Sequence, residues 1–471
     1  MCIRHLTSRT LDHRGLRVIL VIACLALRSG AGGASEIVSD RGWSAGIAKT
    51  DITPTMPMWL AGYGSRDRPS EGTIHPIWIK ALALTDAKGN RCLLVTSDLC
   101  GMPKWLYESI CVRVKANHGL SRSQIRLTNS HNHCAPAVRG ELEDYYPLDE
   151  EHRRRMKSYS SWLEEAFVRT IADALRARVS VFVSTGEGHC GFAVNRRKNR
   201  EADVPLIKTQ GKPLKGRVDH SVPVLAVRNM DHTLLSVVFG YACHNTTLSS
   251  YRWSGDYAGF AQLNIEENYP DAQAMFVLGC GGDQNPLPRR TLALAEEYGR
   301  ELSTSVMEVL KKPMQDQKPR IRTAFQFVQL DFEETITKQT LLKDRDSPRV
   351  IKARWARRML RQLVSGVPFK TSYPYATQVW MLGDQLWIAL GGEALVGYSH
   401  RFKAEYGNST WVTSYFADLT AYIPTRSDWE EGGYEVDYLY EYMLPAERWA
   451  GDLETRIADA IDHQVQNVSK E

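Results

Sequence analysis

The stretch 124-QIRLTNSHNHCAP-136 begins as an apolar-alternating run and turns polar at its end, where His131 and His133 stand one residue apart. Four other apolar runs end in the same way. The run 93-LLVT-96 leads into Ser97 and Asp98, and 234-LLSVVFGYAC-243 into His244 and Asn245. Further on, 274-AMFVLG-279 leads into 280-CGGDQNP-286, and 386-LWIALGG-392 into Glu393. Amphipathic stretches such as 161-SWLEEAFVRTIADALRARV-179 and 293-ALAEEYGRELSTSVMEVLKK-312 alternate with these runs. Strand-like runs alternating with helical ones mark an α/β architecture. Open α/β sheets gather ligands outside the carboxyl ends of their strands. The expected fold is a mixed β-sheet core flanked by helices, with the five polar strand ends meeting at one metal site.

With 43% hydrophobic and 24% charged residues over 471 positions, the chain has material for a large core and is not disordered by composition. Its formal charge of +5 comes from scattered Lys and Arg rather than from one basic run. That excludes a dedicated nucleic-acid surface and leaves weak contact with anionic surfaces open. At the N-terminus, Arg14 and Arg17 precede the apolar run 18-VILVIACLAL-27 and the small residues 29-SGAGGAS-35. This is the pattern of a secretory signal over residues 1–34, too short to span a bilayer. It predicts an exported protein, periplasmic or extracellular. The box 21-VIAC-24, with lipid anchoring at Cys24, ranks second because cleavage there leaves a very short apolar segment. Residues 35–471 then read as one domain, with the polar stretch 311-KKPMQDQKPR-320 as a surface loop. The seven cysteines left after the signal are odd in number and form no CxxC pair, so no disulfide framework is legible.

Polar residues end every strand, and any one such end means a turn or a cap. Residue type distinguishes this set: His, His, His and Glu are the side chains of a catalytic zinc site, which keeps one position open for water. His131, His244 and Glu393 supply such a set if their strand ends are adjacent. In an extended segment His131 and His133 point to the same side, so one can hold metal while the other faces substrate. Bound Zn²⁺ lowers the pKa of its water from about 15.7 to roughly 7. His133 suits the proton shuttle, and an Arg or Tyr suits the oxyanion. Residue types alone stop at a zinc hydrolase, because the HxH motif lacks the strict spacing of HExxH.

The segments 46-GIAKTDITP-54 and 60-LAGYGSR-66 resemble the opening motif of the neutral/alkaline non-lysosomal ceramidases, a family of zinc amidohydrolases, and the likeness runs in order to about Glu435. The family's GTHTHSGP block is similar to 128-TNSHNHCAP-136, which implies His131 as a zinc ligand and His133 as the residue facing the substrate amide. A stretch like FAVHPT matches 240-GYACHNTT-247 and implies His244; a PGE segment matches 390-LGGEAL-395 and implies Glu393. The segment 422-YIPTRSDWEEGGYE-435 resembles the family's tyrosine segment, implying Tyr422 as a fourth ligand and Tyr434 as a substrate-facing residue. An NRS-like motif is similar to 195-NRR-197, implying Arg196 as a substrate or oxyanion contact; by itself its basic cluster reads as a solvated loop. The resemblance implies one Zn²⁺ per chain and cleavage, by metal-activated water, of the N-acyl amide of ceramide or a related N-acyl lipid.

The sequence departs from that pattern at 282-GDQNP-286, where Asn285 replaces a substrate-contacting serine. A carboxamide is no alkoxide nucleophile, but it still donates a hydrogen bond. Three readings stay open: hydrolysis of an N-acyl lipid; hydrolysis of a different amide or ester, such as a glycan or peptide conjugate; and a non-catalytic binding protein that lost turnover with the serine. The stretch 440-YEYMLPAERWAGDLETRIADAIDHQV-465 reads as a closing helix, with no sign of the family's immunoglobulin-like C-terminal domain. Helix 352-KARWARRMLRQL-363 is basic, with Trp355, Met359 and Leu363 on one face. It reads either as a peripheral membrane contact or as a surface helix packed on the core. No protein partner is inferred.

Overall fold

The computed structural model describes residues 42–470, residue 335 excepted. The signal, the cleavage stretch and the Cys24 box expected over residues 1–34 lie outside the described residues. Thirteen strands form one mixed sheet. In spatial order they are Gln273–Leu278, Leu234–Tyr241, Ser221–Asn229, Val179–His189, Trp43–Asp51, Trp78–Thr85, Arg91–Ser97, Ile125–Asn129, Trp411–Phe416, Gln385–Gly391, Ser372–Leu382 and Ile321–Asp331, with Gln315–Asp316 beside Val179–His189. Three neighbouring pairs are parallel: Arg91–Ser97 with Ile125–Asn129, Leu234–Tyr241 with Gln273–Leu278, and Gln385–Gly391 with Trp411–Phe416.

Side chains alternate across each strand, and here both faces are dry. Ile79, Ala81, Ala83, Leu93 and Val95 face a helix-covered core, while Leu82, Leu84, Cys92 and Leu94 face a second one. Burial on both sides is why these strands read as unbroken apolar runs. The second core joins the two halves of the sheet, since Trp43, Val181, Leu225 and Met275 share it with Trp380, Leu382, Trp387 and Trp411. The sheet therefore folds over on itself. Helices clothe the outside: Glu150–Arg176 lies on Trp43–Asp51 and Trp78–Thr85, Leu292–Leu310 on Val179–His189 and Ser221–Asn229, and Leu453–Ser469 on Ile321–Asp331 and Ser372–Leu382. The mixed sheet flanked by helices is the architecture expected from the sequence.

Three expectations need correction or sharpening. Residues 443–452 are not helical: a single 3₁₀ turn at Leu439–Tyr442 gives way to an irregular segment, and the long helix begins at Leu453. Pro445 and Gly451 interrupt it, and buried Trp449 donates its indole N–H to Tyr422 O at 3.0 Å. The apolar face of helix Val350–Val364 is not free for a membrane. Trp355 and Met359 are buried with Leu341 and Tyr440, Leu363 packs against them, and the Trp355 indole donates to Leu444 O. The stretch 311–320 carries the strand Gln315–Asp316, so it is a loop stitched to the sheet rather than a subdomain boundary. Cys92, Cys100, Cys111, Cys134, Cys190, Cys243 and Cys280 are all buried free thiols. Among the described residues, no helix is long and apolar enough to cross a membrane.

Candidate metal and catalytic site

Strand ends converge because of how the sheet closes. Ile125–Asn129 and Trp411–Phe416 meet at their carboxyl ends through the pair Thr128 and Phe416, and the Gly279–Thr413 bridge brings in the end of Gln273–Leu278. Past Asn129 the chain enters the left-handed region at His131, φ 53°. Asn132 fastens this turn: its amide nitrogen donates to Asp98 O and Ser254 O, and its oxygen accepts from Cys134 N–H at 2.8 Å. The two histidines meet through that turn and not through the alternation of an extended segment; their Nε2 atoms are 3.1 Å apart. The His133 ring lies across Gly62, φ 84°, where a Cβ would come within 2.4 Å of it. Glycine is required there on both counts.

His244 follows strand Leu234–Tyr241, its N–H donating to Gln284 O at 2.8 Å. Glu393 and Tyr422 are register partners in a two-residue parallel ladder, Glu393–Ala394 with Tyr422–Ile423. A second short ladder pairs Gln284–Pro286 with Ala193–Asn195 and sets Arg196 beside Asn285.

His131 Nδ1 donates to Cys100 O at 2.8 Å and His244 Nδ1 to Gly281 O at 2.6 Å. With Nδ1 committed as donor, each ring turns an unprotonated Nε2 inward, the usual orientation of a metal-ligating imidazole. Glu393 Oε2 lies 3.1 Å from His131 Nε2 and 3.2 Å from His244 Nε2. Tetrahedral ligands about 2.0–2.1 Å from a central ion stand roughly 3.3 Å from one another, so both separations have the spacing of ligands to one metal ion, and the three side chains form a group that could hold one. Tyr422 Oη, 3.3 Å from His244 Nε2, has the separation of a fourth ligand. All four side chains are buried.

Protonation suits a cation. Burial, then the charge of Arg196, pushes His244 down to about 4. Burial and the neighbouring His131 hold His133 well below the usual histidine range. Burial alone would raise the Glu393 carboxyl, but positive charge at the His131 and His244 side of the site, the side a cation would occupy, holds it well below the ordinary carboxylate value. Neutral imidazole and ionised carboxylate are the forms that bind metal. Tyr422 differs: burial raises its phenol well above the normal value against the opposing charge of Arg196. A second cluster, Cys100 with His131 and His133, also falls within ligand spacing. It is the poorer set, because burial raises the Cys100 thiol well above its normal range and the thiolate is the ligating form.

Arg196 is no solvated loop residue. It donates through Nε to Glu435 at 2.9 Å, through Nη2 to Gly282 O and Tyr422 Oη, each at 2.8 Å, and through Nη1 to Asn285 Oδ1 at 3.3 Å. Gly282 lets the Glu393–Ala394 backbone pass close beside it, since a Cβ there would stand 2.6 Å from Glu393 O. Tyr434 stays outside the donor cluster. It is 46% exposed, its ring 5.5 Å from that of Tyr422, and Arg196 lies over it.

Sequence reasoning missed Tyr415 and Tyr442, whose hydroxyls donate to the two oxygens of Glu393. No spacing marks them. It also missed Glu435, which closes the stretch 422–435 and pairs with Arg196 and Arg197. Glu141 went unnoticed too. Burial pushes this enclosed carboxyl up to about 8, against a weaker opposing contact from the Cys100 thiol.

Neither a protein-family model nor a curated protein sequence matches the chain. Solved structures do. The crystal structure of neutral ceramidase from Pseudomonas aeruginosa superposes with a TM-score of 0.66 at 17% identity, over 90% of this chain and 75% of that one. A ceramidase complexed with C2 gives 0.69 at 16% identity, over 92% and 77%. At such identities the likeness is one of fold, and it agrees with the resemblance in the motifs.

Proposed function

We propose that the chain is a metal-dependent hydrolase of an N-acyl amide linkage, with Zn²⁺ held by His131, His244, Glu393 and Tyr422. One observation carries this reading: two buried imidazoles, each anchored at Nδ1 by a backbone carbonyl, aim Nε2 at the same carboxylate oxygen at ligand spacing. Bound Zn²⁺ supplies Lewis acidity to the amide carbonyl and to water. Everything else falls to the chain. His133 is neutral and turns its Nε2 to the donor cluster, 3.1 Å from His131 Nε2, so we assign it the proton released as the new C–O bond forms and returned to the amine nitrogen as the C–N bond breaks. The products are a carboxylate and a free amine.

Arg196 spends its donors on Tyr422, Asn285, Gly282 and Glu435, and so orients Tyr422 and Asn285. Asn285 commits its oxygen to Arg196, which leaves its amide nitrogen to donate to substrate or oxyanion. Tyr434 forms the rim against which substrate seats. The signal expected over residues 1–34 makes this an exported enzyme. The test is hydrolysis of N-acyl amides before and after dialysis against a chelator. The proposal expects activity to vanish on chelation and return with Zn²⁺; full turnover by the chelated protein contradicts it.

A further inference from the structure

We infer that the half of the substrate seated beside Arg196 and Asn285, which we assign to the amine side, is a hydrophilic, hydroxyl-rich group such as an amino sugar, not a long-chain lipid base; this rests on the hydrolase reading above. Beside the donor cluster opens a cavity of about 580 Å³, reaching Arg196 and Asn285 at the site and Tyr434 at the rim. That is within the usual size of a small-molecule site, about 300–1,000 Å³. Its walls are ionic. Arg289 pairs with Glu201 at 2.6 Å, and Arg197 with Glu435 at 2.8 Å and Glu431 at 3.2 Å. Among the described residues, Leu287 is the one aliphatic side chain lining it, and Leu287 is itself fully buried.

An alkyl chain laid along these walls would strip water from charged groups without replacing their hydrogen bonds, which is unfavourable. A hydroxyl both donates and accepts, so a hydroxyl-bearing ring can meet arginine donors and glutamate acceptors in turn. Because the wall charges are largely paired with each other, the cavity offers alternating hydrogen-bonding partners rather than a net-charged socket. Tyr434, nearly half exposed, adds an aromatic face at the entrance. The apolar cavity lined by Met56, Met58, Tyr159 and Trp162 shares no residue with this site.

The test compares three acetamides on the zinc-loaded protein: N-acetylglucosamine, N-acetylleucine, and N-acetylsphingosine in mixed micelles. The amino sugar is expected to lead in kcat/KM by at least about tenfold. Equal or faster turnover of N-acetylsphingosine overturns the inference while leaving the hydrolase reading intact, and so does a preference for N-acetylleucine. Absence of turnover on all three, with zinc bound, overturns both. A second measurement uses Glu431→Gln on the wall: KM for the sugar rises about fivefold or more with kcat nearly unchanged, and an unaltered KM removes the cavity from recognition and overturns the inference.

Discussion

Asn285 occupies the place of a serine in the resembled family, and its neighbours indicate what that position does. Its side-chain oxygen accepts from Arg196, which as a permanent cation is no general base for a side chain there. A nucleophile needs such a base; a hydrogen-bonding partner does not. Asn285→Ser is therefore expected to change kcat by less than about tenfold, since it replaces one hydrogen-bonding side chain with another. Initial rates on a turned-over amide check this, and a gain of about a hundredfold or more would mean that a serine nucleophile belongs there. His131, His244 and Glu393 were legible because histidine and glutamate at the ends of apolar runs stand out by type. Tyr415 and Tyr442 were not, because a tyrosine whose hydroxyl reaches a carboxylate looks in sequence like any packing tyrosine.

At the scale of elements, the long strands could be read because burial on both faces leaves continuous apolar runs. The two-residue ladders that carry Glu393, Tyr422 and Asn285 could not, since two residues have no periodicity. The turn at His131 was misread for a related reason: a left-handed histidine is uncommon, and nothing in SHNH signals one. Gly62 tests the geometry of that turn. Gly62→Ala places a Cβ 2.4 Å from the His133 ring in a backbone with φ 84°. The ring must move, and kcat is expected to fall about a hundredfold or more while zinc stays bound. A zinc-loaded variant with normal kcat would take proton transfer away from His133. The closing segment was misjudged because Trp449 and its flanks are drawn into the core under Tyr422, a tertiary effect with no local signature.

For the whole molecule, the folded-over sheet buries ionisable groups along with apolar ones, and stability should carry their mark. Glu141 has its carboxyl raised by burial from about 4.5 to about 8. Below pH 4.5 both folded and unfolded forms hold its proton, and its contribution is fully present. As pH rises towards 8 the unfolded chain releases that proton first, so stability falls across this window and stays lower above it. Glu141→Gln removes the effect. Urea midpoints should show the variant more stable than the parent at pH 9, by on the order of 1–3 kcal/mol, and equal to it near pH 4; a difference independent of pH would refute the burial of that carboxyl.

The central claim is that four side chains from distant strand ends hold one metal ion. Metal analysis of the purified protein by mass spectrometry, with His131→Ala and Glu393→Ala beside it, tests this most directly. The account predicts close to one zinc per wild-type chain and loss of most of it in either variant. Folded wild-type protein that takes up no stoichiometric zinc, or variants that keep it, would contradict the account.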